Sequence, residues 1–266
     1  MEKEDTVIET EQKSPEIFEP KDKGFFSLLG ESFKFFLLHL PAIATIVVPV
    51  FIVVEILVPL LSNFIPDLAD DLTGVAFLDN LLNDIIKMVI IALIGAIIGG
   101  IAWIATIRVI ASSIRGEKIP PIQAMRDGTA MLPMFVVTAI MYYLIVFIGA
   151  VFLIVPGIVL GIYFIFWQFS YVLRGKGAFS ALSYSKDLVS GNFVRVSLNV
   201  VGIWIVMYVL NKYVIGLIAS NVAILVGEDD SLSYLIVNAI FTALGKVFEG
   251  VRIIFLLSLF KDLEKS

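Results

Sequence analysis

Three charged residues interrupt a long apolar stretch near the C-terminal end of the chain. In "GKVFEGVR", Lys246, Glu249 and Arg252 are three residues apart, so in a helix their side chains share one face. Ionisable groups inside a membrane span are costly to insert and are functional candidates by default. The group is therefore either a salt bridge that locks neighbouring helices together, or part of a polar path or anionic-ligand site.

A fourth intramembrane charge, Glu55, lies in the first long apolar segment, where it could pair with Lys246. The chain contains few residues suited to nucleophilic catalysis or metal binding. The chain has no cysteine and one histidine, His39, which argues against a thiolate nucleophile and against Cys- or His-based metal sites. We also find no nucleophile with a nearby base. The sequence thus predicts a protein that is not an enzyme and needs no cofactor or metal.

The composition predicts the environment of these charges. Hydrophobic residues make up 59% of the chain and charged residues 16%, whereas soluble domains are about 45–50% apolar and about 25% charged. An integral membrane protein is expected. Residues 1–24 differ, because they hold eight acidic residues, four lysines and almost no core-forming side chains. They predict a disordered acidic cytoplasmic tail without the features of a signal peptide.

The membrane region, 25–266, is predicted to be an all-α bundle of six transmembrane helices. Each crossing needs roughly 20 apolar residues. The run 134–173 contains no charged residue and is twice that length, so a break is expected at Val155-Pro156-Gly157. The six predicted spans are 41–61, 86–110, 134–154, 157–173, 195–212 and 234–260.

The loops differ in charge. Lysine and arginine recur in the connections 111–133 and 174–195, whereas 62–84 holds five aspartates and no basic residue. Basic loops tend to stay on the cytoplasmic side. This alternation predicts that both termini lie in the cytoplasm.

A short pattern recurs on the predicted cytoplasmic side. Each copy begins with a polar residue, ends with serine or glycine, and follows a bulky apolar residue. We interpret the copies as three units, each an amphipathic interfacial helix followed by a membrane hairpin. The copies are "SLLGES" at 27–32 after Phe26, "QAMRDG" at 123–128 after Ile122, and "SALSYS" at 180–185 after Phe179.

The third copy predicts a helix over 178–190, with small and apolar side chains on one face and polar ones on the other. Gly191 is placed to end it. Such a helix is expected to lie along the membrane interface as an elbow that sets the angle of the next span. The alternative is a surface for lipid headgroups or a partner. The residues assigned to this elbow are Phe179, Leu182, Ser185, Lys186 and Gly191.

Residues 153–193 resemble the core of the glycerophosphoryl diester phosphodiesterase membrane-domain family. The segment combines a Pro-Gly turn, an aromatic-rich span, a short glycine-bearing link and an Ala-Leu pair followed by serine. The matching positions are Pro156-Gly157, Gly175, Gly177, Ala181-Leu182, Ser185 and Gly191-Asn192-Phe193.

The resemblance implies a multi-pass membrane region in a protein of the bacterial or archaeal cell membrane. In some relatives this region is fused to a soluble phosphodiesterase domain that performs the chemistry. No soluble stretch of this chain is long enough for such a domain, so the resemblance assigns no catalytic residue.

Two functions are compatible with these features. The first is a non-enzymatic membrane protein that binds lipids or partners and supports membrane organisation. The second is a small-solute or ion transporter that uses Lys246, Glu249 and Arg252. Membrane lipids are the expected partners, with other membrane proteins as further candidates; nucleic acid is not expected.

Overall fold

A computed structural model describes residues 24–62, 64–68, 72–218, 221–222 and 232–264. These residues form helices and no β-strand, so the predicted all-α class is confirmed for them. Apart from Gly24, the predicted acidic tail lies outside the described residues. The helices are α1 (Phe25–Ser62), α2 (Ala76–Ile114), α3 (Pro121–Phe152), α4 (Ile154–Tyr163), α5 (Trp167–Arg174), α6 (Phe179–Ser190), α7 (Phe193–Val209) and α8 (Leu232–Leu263).

Five helical stretches in the described part of the chain are long and apolar enough to cross a membrane, which indicates a multi-pass membrane protein. Helix α8, the predicted sixth span, is not among them; it carries Lys246, Glu249 and Arg252. The sixth crossing and the three hairpin units therefore stay predictions. The five stretches are Phe25–Val58, Ala76–Ile114, Pro121–Phe152, Ile154–Arg174 and Phe193–Ile218.

The core of the bundle is built around α8 and collects buried side chains from α1, α2, α5, α6 and α7. Helix α1 packs most extensively against α8, and α2 lies between α1 and α3. The ring of Phe260 on α8 is 5.7 Å from that of Phe166 and 5.8 Å from that of Phe169. Gly250 allows close packing of α1, since a Cβ there would lie 3.1 Å from the Phe36 ring. Aromatic packing thus holds α8 in the centre of the bundle.

The turn between α3 and α4 lies at Leu153, which has extended backbone angles (φ −160°, ψ 137°). The predicted break at Val155-Pro156-Gly157 is therefore wrong by two residues. Pro156 instead occupies the first turn of α4, where a residue has no intrahelical partner for an N–H group and proline is tolerated.

The predicted span 157–173 is not one helix. It is interrupted at 164–166, between α4 and α5. The buried hydroxyl of Ser185 lies at this interruption: it donates a hydrogen bond to the carbonyl of Tyr163 (2.9 Å) and accepts one from the N–H of Phe166 (3.0 Å). Helix α6 therefore supplies a hydrogen-bonding partner for the backbone groups that are left unpaired between α4 and α5.

The three copies of the recurring pattern pack alike, although only the third forms a separate helix; the first two lie inside α1 and α3. In every copy the second and sixth residues are buried, and the preceding apolar residue is exposed. The buried pairs are Leu28 and Ser32, Ala124 and Gly128, and Ala181 and Ser185; the exposed residues are Phe26 (83%), Ile122 (75%) and Phe179 (70%).

The elbow residues divide between the two faces of α6. Leu182 and Ser185 are buried against the bundle, whereas Phe179 and Lys186 are exposed. The helix ends at Ser190, as the sequence predicts, but Gly191 has a φ of −77° and so does not use the left-handed conformation that favours glycine. Ala178, which precedes the helix, is the non-glycine residue with positive φ (49°) among the described ranges.

Candidate functional site

Helix α8 places Lys246, Glu249 and Arg252 on one face, as their spacing predicts. Glu249 pairs with Arg252: Oε2 and Nε are 2.6 Å apart. The contact is an ion pair and not a hydrogen bond, and both atoms are buried without a hydrogen-bond partner among the described residues. The pair is thus neutral overall but leaves hydrogen-bonding capacity unused.

Lys246 is exposed, and no carboxylate of the described ranges lies within ion-pair distance of its ammonium group. The ammonium instead lies 5.6 Å from the ring centre of Phe51 on α1. Arg252 is arranged similarly, with its guanidinium carbon 5.2 Å from the ring centre of Trp103 on α2. The Trp103 indole N–H donates to the side chain of Gln168. Both cations therefore lie over aromatic faces, which attract positive charge.

Two cavities meet at these residues. The larger, about 360 Å³, lies between α8 and the C-terminal continuation of α7, and we call it the α7–α8 cleft. The smaller, about 100 Å³, lies between α1, α2 and α8, and we call it the α2–α8 chamber. Lys246 and Glu249 line both. Polar residues of the cleft are Asn211, Asn238, Thr242, Lys246 and Glu249; charged and aromatic residues of the chamber are Phe51, Trp103, Lys246, Glu249 and Arg252.

The wall of the cleft opposite α8 is a π-helical segment, Leu210–Ile215, that continues α7. Short π-helical insertions occur frequently at functional sites. Asn211 of this segment approaches α8 closely, because a Cβ on Gly245 would lie 2.8 Å from its Oδ1 atom. Glycine at 245 thus makes room for a polar side chain inside the bundle.

Sequence reasoning missed the polar residues that accompany Lys246 in the cleft. Asn238 and Thr242 precede Lys246 at four-residue spacing, so they continue the same helical face and could have been found from the sequence. Asn211 lies on another helix, and its sequence position carries no comparable signal. Glu55 is half-buried, and no described residue forms an ion pair or hydrogen bond with it. The structure therefore does not bring Glu55 together with Lys246.

A second charged cluster joins α5, α6 and α7 to the C-terminal end of α8. Arg174 donates two hydrogen bonds to the carboxylate of Glu264, at 2.8 and 2.6 Å, and Tyr184 donates a third at 2.7 Å. Arg195 pairs with Asp262. Burial raises the pKa of Glu264, but the hydrogen bonds from Arg174 and Tyr184 outweigh it, and the pKa lies below its usual 4.5. We call this cluster the ionic end of the bundle; its contacts connect α5, α6 and α7 to α8.

The lowered pKa of Glu264 predicts a loss of stability in acid. A carboxylate whose pKa is lower in the folded state contributes stability above its unfolded pKa and loses it as the pH falls through the folded pKa. We expect Glu264→Gln to be less stable than the parent protein at pH 7, and the difference to shrink below about pH 4.5. Unfolding in detergent micelles, followed by circular dichroism at several pH values, measures this difference.

The control for this prediction is Glu117→Gln, which removes an exposed carboxylate paired with Arg115. Exposed pairs contribute little, so this variant should match the parent protein throughout. A difference between Glu264→Gln and the parent that stays constant from pH 7 to pH 3 would contradict the prediction.

Comparison with known proteins identifies no relative: no family model, no curated protein and no solved structure matches the chain. The resemblance of residues 153–193 to the glycerophosphoryl diester phosphodiesterase membrane-domain family therefore stays a prediction. Any functional assignment depends on the geometry of the cavities around α8.

Proposed function

We propose that the chain is a non-enzymatic membrane protein that binds a ligand with an anionic group in the α7–α8 cleft. The observation that carries the proposal is the ammonium group of Lys246, which lines the cleft without a carboxylate partner in the described part of the chain. A cation among apolar helices is costly unless it is paired. An anionic ligand would supply the missing partner.

The residues around the cleft favour a lipid headgroup as the source of this anion. The side chains of Ile236, Ile240 and Leu244 are exposed on α8, and in a membrane they would contact acyl chains. Lys246 lies 16 residues from Asp262, about 24 Å along a helix axis, and so in the half of the membrane remote from the ionic end. The headgroup of a lipid in that leaflet could enter the cleft from the side. This is a lipid-binding role of the kind that membrane organisation requires.

Transport of a small anionic solute is the second candidate. It is favoured by the α2–α8 chamber, which lies on the other side of Lys246 and Glu249 and shares both residues with the cleft. Because the two cavities meet at one pair of charged side chains, a solute could bind in them one after the other on its way through the protein. A lipid-binding site needs only the cleft.

The test compares Lys246→Met with the parent protein, both purified in detergent and reconstituted. Retention of phosphatidylglycerol is measured by native mass spectrometry, and uptake of radiolabelled inorganic phosphate is measured in proteoliposomes. Loss of a charge-assisted contact costs about 1.5–3 kcal/mol, so we expect retention to weaken at least about tenfold. Lys118→Met removes an exposed lysine outside both cavities and should change neither measurement.

The measurements of lipid retention and phosphate uptake distinguish lipid binding from transport. Reduced lipid retention in Lys246→Met, without phosphate uptake by the parent protein, supports the lipid-binding function. Phosphate uptake that depends on Lys246, with unchanged lipid retention, would replace it with transport. Unchanged behaviour of Lys246→Met in both arms would refute anion binding in the cleft.

A further inference from the structure

The α2–α8 chamber differs from the cleft in size and in its walls. Its volume is about 100 Å³, less than a third of that of the cleft. It therefore suits a smaller ligand than the cleft does. Aromatic rings form part of its wall, and the two cations of α8 lie over those rings. A ligand of this chamber must be small and compact.

The charge of the chamber favours an anion. Lys246, Glu249 and Arg252 line it, and together they carry a net charge of +1. Glu249 is already matched to Arg252, so the uncompensated charge is that of Lys246. One monovalent anion would make the group neutral and so reduce the cost of keeping it among apolar helices.

The hydrogen-bonding capacity of the chamber leads to the same ligand. The Nε atom of Arg252 is buried and makes no hydrogen bond within the described residues, although it lies 2.6 Å from a carboxylate oxygen of Glu249. Buried donors without acceptors are rare in folded proteins. An anion in the chamber could accept the unused hydrogen bond of Arg252 and also contact the ammonium of Lys246.

We infer that the α2–α8 chamber binds one small inorganic anion, of the size of a halide or nitrate, near Lys246 and Arg252. This site is separate from the proposed lipid site: it uses Arg252 and Trp103, which do not line the cleft. Anion binding in the chamber does not depend on whether the ligand of the cleft is a lipid. Lys246 and Glu249 line both cavities, and Lys246 is the cation that the two sites share.

Iodide tests the inference, because it is a monovalent anion that quenches indole fluorescence and Trp103 lines the chamber. The full chain is titrated with iodide in nanodiscs at constant ionic strength. We expect a saturable component of quenching that is absent from Trp103→Phe. In the double variant Glu249→Gln with Arg252→Gln, the apparent affinity should fall at least about tenfold, as expected for loss of a charge-assisted contact.

The double variant removes both members of the ion pair together, so it leaves no buried charge without its partner. Arg126→Gln removes an exposed arginine and should leave the iodide titration unchanged. Acrylamide, a neutral quencher, should quench the parent protein and the double variant equally. Phosphatidylglycerol retention should persist in Trp103→Phe, because Trp103 lines the chamber and not the cleft.

Quenching of the parent protein that rises linearly with iodide would overturn the inference. A saturable component that survives unchanged in the double variant would overturn it as well, since the anion would then bind elsewhere. A chamber that holds only water predicts no saturable component in the iodide quenching of Trp103.

Discussion

Replacing Gly157 with alanine is expected to destabilise the protein by about 1–3 kcal/mol, the usual cost of adding a methyl group to a closely packed interface. Helix α4 crosses α3 at this residue. A Cβ on Gly157 would lie 2.7 Å from the Cα atom of Ala150 and 2.8 Å from its backbone nitrogen. Because the obstacle is backbone, it cannot rotate away as the end of a side chain can. The two helices would have to separate.

Titration with sodium dodecyl sulfate in mixed micelles, followed by circular dichroism, measures this loss. Gly161→Ala is the matched control in the same helix, since its Cβ would lie 3.8 Å from the nearest atom, the Tyr142 hydroxyl oxygen. Adding Ala150→Gly to Gly157→Ala should not restore stability, because the backbone contacts remain. Equal stability of Gly157→Ala and Gly161→Ala would mean that the crossing of α3 and α4 tolerates a side chain.

The α3–α4 region indicates what can be predicted from such a sequence. The absence of charge over 134–173 predicts two helices, because forty residues exceed one hydrocarbon thickness. The position of the turn was predicted wrongly because Pro156 was interpreted as a residue that ends a helix. In the first turn of α4 proline loses no hydrogen bond, and the residue that leaves helical geometry is Leu153.

The interruption between α4 and α5 could not be predicted. Its residues, Phe164, Ile165 and Phe166, are apolar and contain no proline or glycine. The backbone groups that are freed there are paired by Ser185, nineteen residues later along the chain from Phe166. A partner at that distance in sequence leaves no local signal at the break. The only signal is at Ser185 itself, a hydroxyl on the otherwise apolar face of α6.

The candidate site was predictable only along one helix. The three-residue spacing of Lys246, Glu249 and Arg252 places them on one face of α8, and Asn238 and Thr242 continue that face at four-residue spacing. Contacts between helices were not predictable. The proposed pairing of Glu55 with Lys246 depended on approximate depths alone, and the structure instead places the ring of Phe51 over Lys246.

Replacing Ser185 with alanine is expected to destabilise the protein strongly, because it leaves two backbone groups without partners, one of them on the fully buried Phe166. The carbonyl of Tyr163 and the N–H of Phe166 are both paired with the Ser185 hydroxyl, at 2.9 and 3.0 Å. Each buried polar group left unpaired costs about 1–3 kcal/mol. We expect a loss in this range or above it in the dodecyl sulfate titration, and faster hydrogen exchange at the Phe166 amide.

Ser183→Ala is the matched control, since Ser183 lies on the exposed face of the same helix. Surface substitutions of this kind usually change stability by less than about 0.5 kcal/mol. If Ser185→Ala and Ser183→Ala proved equally stable, the backbone groups at the interruption would have to find other partners. Faster exchange at Phe166 in Ser185→Ala alone would instead show that α6 stabilises the break between α4 and α5 through this one hydroxyl.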